Sequence, residues 1–227
     1  LDIAAGDCDQ SIAASRRVGP TGHVLAIDIA EELLVLGGRF ARESGFQNIE
    51  TQVMDGGNLD LPDDSFDAVI CRFALMYLDD PVSGLRGMKR VLKPNGRISV
   101  VVYGVNGSLE FARAVSVVRQ RLGIPQVQSP AHSLGEEAVL RQSLVEGGFN
   151  EVEIHALDLP MRMASAEECV LYLQATSPTL KELTSSLSQE ERKKVWDEVE
   201  EALTIFEGAQ GFEVIHKVIV AAGSVAI

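Results

Sequence analysis

A turn of small residues near the start of the chain is the first candidate for chemistry. The segment Asp2-Ile-Ala-Ala-Gly6-Asp-Cys8-Asp9 follows an apolar run and precedes a helical pattern. Small side chains let a ligand approach the backbone, and the N–H groups that open a helix favour a carboxylate or a phosphate. Asp7 and Asp9 would repel a pyrophosphate but would tolerate an ammonium or a sulfonium. Equally, the turn could be a plain strand-to-helix connection, with Asp7 and Asp9 as helix caps.

A carboxylate at the end of the next apolar run is the second candidate. Asp28 follows the run VLAI, about 20 residues after the glycine turn, where an acidic residue can accept both hydroxyls of an adenosine ribose. Ile29 could then pack on the adenine face, or it could belong to the core. We expect Asp28 to bind a ligand instead of being a solvated surface residue.

Two later strand ends carry further polar side chains. Asp55-Gly56 follows the third apolar run, where an aspartate beside backbone N–H groups can bind the amino edge of adenine. A flexible glycine turn is the alternative there. Arg72 and Tyr77 follow the fourth run, where a bound cofactor would present its reactive end to a substrate. Arg72 comes directly after a buried run, so we expect either contact with the substrate or pairing with a structural carboxylate.

Strands and helices that would position these residues alternate in the first half of the chain. Five apolar runs predict strands: 1–6, 23–28, 49–54, 66–73 and 97–104. This alternation indicates βαβ units and a parallel sheet, in which ligands bind beyond the carboxyl ends of the strands. Asp80-Pro81 is typical of a helix start, with aspartate as the N-cap and proline at the first helical position.

The second half has a different pattern. Three capping boxes, headed by Ser133, Ser165 and Ser188, predict helices, and alternating apolar residues predict strands over 151–159 and 213–222. We therefore expect an α/β fold: a Rossmann-like doubly wound sheet, mostly parallel with one reversed edge strand, plus a helical cap insert.

This layout predicts a single domain over 1–227, truncated at its N-terminus. Its parts are a cofactor-binding half, a cap helix with an edge strand, a helical insert and a final strand: 1–104, 105–159, 160–211 and 212–227. Segments 105–132 and 160–211 are expected to cover the carboxyl edge of the sheet. Four aromatic residues there could supply apolar surface to a substrate or be core residues of the insert: Phe111, Tyr172, Trp196 and Phe206.

Composition and charge narrow the classes of partner that this protein is expected to bind. The chain has 20 Lys and Arg against 33 Asp and Glu, a net charge of −13, which disfavours DNA, RNA and anionic membrane surfaces. No apolar stretch reaches the roughly 18 residues of a membrane span. Cys8, Cys71 and Cys169 are far apart and form no CxxC pair, which argues against a disulfide framework or a cysteine-rich zinc site and favours a reducing cytoplasm. We therefore predict a cytoplasmic protein with a small-molecule substrate and no metal site.

Four segments together resemble the class I S-adenosylmethionine-dependent methyltransferases, in particular the small-molecule branch that includes the ubiquinone/menaquinone C-methyltransferases. In order, they are LDIAAGDCD, LAIDIA, MDGGNLDLPDDSFDAVIC and RVLKPNGRISVVVYG. The resemblance is continuous over residues 1–104, with a weaker echo over 147–155. It implies S-adenosylmethionine as the cofactor.

The resemblance also implies roles for individual residues. Gly6 and the backbone around Ala4 would contact the methionine portion, Asp28 would hold the ribose, and Asp55 with the backbone of Gly56 would bind the adenine. With the acidic residue of the first motif and two neighbours of the strand ends, the predicted cofactor-binding set is Asp2, Ala4, Gly6, Asp28, Ile29, Asp55, Gly56 and Arg72.

Three departures from the family pattern stand out. Cys8 occupies the third small position, usually glycine, so its thiol could reduce cofactor affinity or push the loop outward. Ala4 replaces the first glycine. The quinone-methyltransferase signature after the fourth strand is replaced by CRFALMYLDDP, which leaves quinone specificity open.

We therefore expect methyl transfer from S-adenosylmethionine to a small, partly apolar acceptor, by an in-line displacement that depends on positioning and exclusion of water. Helices over 108–122 and 165–207 are expected to close over the acceptor. Tyr77 and His132 are the candidate general bases, needed only for a hydroxyl or an acidic carbon, whereas His155 and His216 are predicted to be structural. A nicotinamide-dependent oxidoreductase and a non-catalytic methyltransferase-like binding protein are the alternatives.

Overall fold

The computed structural model describes residues 1–105, 107–126 and 130–226, apart from the side chains of Pro130 and Pro178. Positions 106, 127–129 and 227, which fall within the predicted segments 105–132 and 212–227, lie outside the described residues. In the described part, no helix has the length and apolar character that crossing a membrane requires.

Strands and helices alternate through the first half of the chain, and three of the later strands are longer. The strands are β1 (Asp2–Ile3), β2 (Val24–Asp28), β3 (Ile49–Val53), β4 (Phe66–Arg72), β5 (Leu92–Tyr103), β6 (Asn150–Met163), β7 (Glu207–Gly208) and β8 (Gly211–Ser224). The α-helices are α1 (Asp9–Val18), α2 (Glu31–Glu43), α3 (Pro81–Val91), α4 (Leu109–Arg121), α5 (Glu137–Glu146), α6 (Ala166–Thr176), α7 (Pro178–Thr184) and α8 (Gln189–Leu203).

The described residues form two compact units. The first contains Leu1–Val102, Ser133–Ala156 and the chain from Ile219 onward, and the second contains the described residues of Tyr103–His132 together with Leu157–Val218. The long strands β6 and β8 have residues in both units. The predicted covering role of the second-half helices stays a prediction.

The first unit is built on a central sheet with strand order β3-β2-β1-β4-β5-β8-β6. The pairs among β1 to β5 are parallel, and antiparallel strands lie toward the β6 edge. The predicted Rossmann-like fold class is therefore confirmed. In the register, Ile3 lies opposite Ile27 and Cys71, so β1, β2 and β4 end at the same edge of the sheet.

Local sequence signals explain several helix starts. The Asp80 side chain accepts a hydrogen bond from the Ser83 backbone N–H with Pro81 in the first turn, and Ser165 caps α6. Both halves of the Ser188 capping box are formed at α8. The box predicted at Ser133 is wrong, because α5 begins later, after an extended Glu136 whose side chain makes no cap bond.

The second unit is held together by apolar packing. Its helices α4, α6, α7 and α8 pack with the parts of β6 and β8 that belong to this unit. Its buried core includes Ala114, Cys169, Leu180, Trp196, Val199, Leu203 and Phe212. Trp196 is a core residue, and Phe111 and Phe206 pack against that core, whereas Tyr172 is exposed. Of the four aromatic residues, one thus lies in this core and two pack against it.

Candidate functional site

The loop after β1 is tightly wound. Ala4, Gly6 and Cys8 have φ angles of 54°, 54° and 65°, in the left-handed region that non-glycine residues rarely adopt. The Cys8 N–H donates to the carbonyl of Ala5, and the Cys8 carbonyl accepts from Ile12 in the first turn of α1. This backbone matches the predicted small-residue turn and brings the start of α1 to the carboxyl edge of the sheet.

Asp28, at the end of β2, is hydrogen-bonded to two backbone segments. Its Oδ2 accepts from the Gly6 N–H at 2.8 Å, and its Oδ1 accepts from the Ala30 N–H at 2.8 Å. Each carboxylate oxygen has two lone-pair positions, so these bonds use one position on each oxygen. Ile29 is 75% exposed, which excludes the alternative that it belongs to the core.

The loop after β3 lies against the end of β1. A Cβ added at Gly56 would stand 2.5 Å from Cγ2 of Ile3, so the approach requires glycine at this position. Asp55 is exposed, and its Oδ1 accepts from the Gly57 N–H at 2.8 Å. The Asp55 turn is therefore an ordered loop that adjoins the first one.

Gly57 connects this arrangement to the loop after β4. A Cβ added at Gly57 would lie 3.7 Å from Cδ2 of Leu78, the residue that follows Tyr77. The structure thus brings together the ends of β1, β2, β3 and β4, as the parallel register predicts. The residues assigned to cofactor binding share one edge of the sheet in the first unit.

Cys8 points away from the loop surface. Its side chain is fully buried in a cluster with Ile12, Val24 and Leu34. A Cβ added at Gly37, in α2, would stand 2.9 Å from the Cys8 sulfur and would collide with the Asp7 carbonyl oxygen. Gly37 therefore provides the space that the thiol occupies. Burial, aided by the charges of Asp2 and Asp7, raises the pKa of the Cys8 thiol to about 11.

Asp2 is a buried carboxylate that fastens α1 to the sheet. It is 1% exposed, and it accepts hydrogen bonds from Ser11 Oγ at 2.6 Å and from Gln10 Nε2 at 3.2 Å. Burial raises the pKa of Asp2, while the Ser11 hydrogen bond and the charge of Arg72 oppose that shift. Arg72 itself is exposed at the end of β4 and acts on Asp2 through its charge.

The two candidate bases lie in different units. Tyr77 ends a single 3-10 turn in the first unit and is 53% exposed, yet desolvation raises its pKa, which disfavours the tyrosinate. His132 lies in the second unit with its Nε2 at 3.5 Å from Ser108 Oγ. Desolvation lowers the pKa of His132 and the charge of Glu110 raises it. Neither assignment is tested by these contacts.

Sequence reasoning missed a buried carboxyl–imidazole pair in the second unit. Glu110, 3% exposed, holds His216 through Oε1 at 3.0 Å from Nε2. The signal was present, because Glu110 stands four residues before Ala114 and eight before Val118, on the apolar face of α4. A charge on an otherwise buried helix face needs a partner, but the sequence does not reveal that the partner is 106 residues away.

Comparison with known proteins gives the family. A family model described as "Methyltransferase domain" matches residues 1–129. A demethylmenaquinone methyltransferase of Listeria welshimeri is 37% identical over 101 residues, covering 44% of this chain and 43% of the relative. The ubiquinone/menaquinone biosynthesis C-methyltransferase UbiE of Pseudomonas putida is 31% identical over 169 residues, covering 68% of this chain and 66% of the relative. The chain thus spans less than half the length of the Listeria relatives.

Solved structures support the same fold. YcgJ from Bacillus subtilis aligns over 100% of this chain and 91% of its own with a TM-score of 0.66 at 22% identity. A putative methyltransferase from Bacillus halodurans aligns over 100% and 92% with a TM-score of 0.66 at 21% identity. With the family model covering more than half of the sequence, the resemblance to class I S-adenosylmethionine-dependent methyltransferases is confirmed, and the chain belongs to the methyltransferase domain family.

Proposed function

We propose that this protein transfers a methyl group from S-adenosylmethionine to a small, partly apolar acceptor. The observation that carries the proposal is the position of Asp28, which is fixed by the backbone of Gly6 and Ala30 where the loop after β1 meets the end of β2. Asp55 follows the neighbouring strand β3 at the same edge. Two carboxylates at adjacent strand ends suit the hydroxyls and the amino group of one adenosine.

The residues present fit this cofactor. The backbone packs so closely at Gly56 that a Cβ would meet Ile3, and the exposed Ile29 offers apolar surface beside Asp28. Asp7 and Asp9 are exposed acidic side chains at the first loop, which suits a cationic ligand better than a pyrophosphate. Neither the family model nor the relatives support the nicotinamide alternative.

In the proposed reaction S-adenosylmethionine supplies a methyl group activated by its sulfonium. The chain itself would bind and orient. Asp28 would hold the ribose, Asp55 the adenine amino group, and the wound backbone from Ala4 to Gly6 the methionine portion. Positioning and exclusion of water are the main contributions a protein makes to such a displacement. Tyr77 and His132 remain the proposed bases for an acceptor that must lose a proton.

We propose a small-molecule acceptor in the cytoplasm, without nucleic-acid binding. The net charge of −13 supports this by disfavouring polyanions, and three free, buried cysteines are consistent with a reducing compartment. The relatives are named for demethylmenaquinone and ubiquinone/menaquinone biosynthesis, so quinones and their reduced, hydroxylated aromatic forms are the first acceptors to try. The sequence CRFALMYLDDP after β4 keeps the acceptor class broader than quinones.

Binding of S-adenosylhomocysteine by the chain, followed by calorimetry, tests the cofactor site. We expect Asp28→Ala and Asp55→Ala each to weaken binding at least tenfold, since a hydrogen bond to a charged group contributes about 1.5–3 kcal/mol and tenfold is about 1.4 kcal/mol. Asp60→Ala removes an exposed aspartate outside the proposed set and should leave the affinity unchanged. Equal affinity in the wild type and both site variants would refute the proposed site.

A further inference from the structure

The second unit holds a buried carboxylate that the proposed function does not yet use. Glu110 lies in the first turn of α4 with 3% of its side chain exposed, and it pairs with His216, whose side chain is 16% exposed. Oε1 of Glu110 lies 3.0 Å from Nε2 of His216, within hydrogen-bond distance. Oε2 is buried and, among the described residues, has no hydrogen-bond partner.

An unsatisfied oxygen on a buried carboxylate is unfavourable. Buried polar groups in folded proteins are nearly always hydrogen-bonded, because an unpaired buried acceptor has lost its hydrogen bonds to water without replacing them. Glu110 therefore presents a buried carboxyl oxygen that the described residues leave without a hydrogen-bond partner.

The surroundings of the pair are apolar. Ala114 and Val118 extend the buried face of α4 beyond Glu110, and Phe212 and Val214 precede His216 on the same face of β8. The ring of Tyr103 meets the imidazole edge-on, with 5.8 Å between centroids. A molecule that satisfies Glu110 must accordingly be apolar around its polar group.

The charge of Glu110 affects the pKa values of two other titratable groups in the unit. It contributes to the raised pKa of Cys169, about 12, after the larger effect of burial. It also opposes the desolvation that lowers the pKa of His132, which lies beside Ser108. The charge of Glu110 thus acts on both Cys169 and His132.

We propose that the Glu110–His216 pair binds the hydrogen-bond-donating group, a hydroxyl or an ammonium, of a small, otherwise apolar molecule. Oε2 of Glu110 accepts the hydrogen bond, and His216 is a positioning residue that holds the carboxylate through Oε1. His216, with 16% of its side chain exposed, is the member of the pair that solvent reaches. This binding chemistry does not depend on the proposed function.

Three probes with one ring system test the inference: naphthol, naphthylmethylamine and methoxynaphthalene, titrated calorimetrically into the full chain. We expect the wild type to bind a donating probe at least tenfold more tightly than methoxynaphthalene. The hydroxyl and the amine arms show which donor the site takes. Glu110→Gln should abolish the preference, because its amide places at Oε2 a donor that favours the ether oxygen of methoxynaphthalene over a donating group.

His216 is tested by a conservative rescue. His216→Gln keeps a donor for Oε1 of Glu110 and should retain most of the preference, whereas His216→Phe should lose it to the same extent as Glu110→Gln. A purely structural contact would not separate donating from non-donating probes in this way.

Two further measurements separate this inference from its alternatives. Glu110→Gln keeps the size of the side chain and an oxygen that can accept from His216 Nε2, so it should remain folded, which the melting temperature checks. A wild type without preference for the donating probes, including one that binds none of them, overturns the inference. S-adenosylhomocysteine should bind all variants within twofold of the wild type. Failure of the wild type to bind it refutes the proposed function while leaving the probe preference standing.

Discussion

Cys8 combines an unfavourable backbone conformation with a buried side chain. Its φ of 65° would suit glycine, yet the thiol fills space in the core beside Ile12 and Leu34. Whether the thiol reduces cofactor affinity or pushes the loop outward stays a prediction, and the structure places the side chain in the core. Its volume is taken up on the helix side of the loop, next to Gly37.

Substitutions at Cys8 should follow from that geometry. We expect Cys8→Gly to change the free energy of unfolding by no more than about 1 kcal/mol, because relief of left-handed strain offsets the lost packing and the greater entropy of unfolded glycine. Affinity for S-adenosylhomocysteine should change less than threefold. Cys8→Val adds branched volume against Gly37 and should destabilise by at least about 2 kcal/mol. Urea unfolding and calorimetry measure both. A large gain in affinity in Cys8→Gly would instead place the thiol in the ligand's way.

Helix α2 shapes the first loop through one glycine. A side chain at Gly37 would collide with the Asp7 carbonyl, whereas a Cβ at Gly87 of α3 would meet Leu59 only at 4.0 Å. Two glycines in helix interiors thus have opposite reasons to be present. Gly37 permits close packing, while nothing in the described contacts of Gly87 requires glycine.

The pair gives a matched prediction. Gly37→Ala should destabilise the protein by about 2 kcal/mol or more through overpacking, and it should weaken S-adenosylhomocysteine binding, because the backbone of Asp7 must shift. Gly87→Ala should be neutral or stabilising by up to about 1 kcal/mol, since alanine is the better helix former. Thermal unfolding with and without ligand distinguishes them. Similar behaviour of the two variants would contradict the packing described for α2.

Prediction from sequence succeeded where a signal is local. Alternating apolar runs and turn residues placed Asp28 and Asp55 at strand ends, and Ser188 capped its helix, since each signal lies within a few residues of the element it marks. It was wrong at Ser133, where a capping pattern occurs without a helix start.

Contacts between residues far apart in the sequence limit what can be predicted from it. The fit between Cys8 and Gly37, and the pairing of Glu110 with His216, join elements that are distant in sequence. No periodicity within one helix or strand encodes which distant element will pack against it. The first strand was predicted over residues 1–6 but spans only Asp2–Ile3. The next residues wind into the loop instead of continuing the hydrogen-bond ladder of the sheet.

Both units contain buried thiols: Cys8 and Cys71 lie in the first and Cys169 in the second. Burial raises the pKa of Cys71 and of Cys169 to about 12, and that of Cys8 to about 11, from an ordinary value of 9.0. Unfolding exposes these groups, so above that ordinary value the unfolded chain releases protons that the folded chain retains. Their contribution to stability is complete below pH 9 and is lost as the pH rises toward the folded-state values.

The free energy of unfolding should therefore fall steadily as the pH is raised above about 9. Urea unfolding at stepwise higher pH measures the slope, and Cys71→Ala should reduce it, although that variant starts from a lower stability because it loses buried volume. Native protein should also react slowly with a thiol reagent that labels all three cysteines after denaturation. Rapid labelling of the folded protein would show that the thiols are more accessible than their burial indicates.

The hydrogen bonds that Asp28 makes to Gly6 and Ala30 have a kinetic consequence. They fix the loop after β1 in its wound form through contacts within the chain itself, and ordering one residue of backbone costs about 1–2 kcal/mol. Association therefore requires little rearrangement there, which favours an encounter rate set by diffusion and orientation. Differences in nucleoside affinity among variants of this loop should then arise chiefly in how long the complex persists.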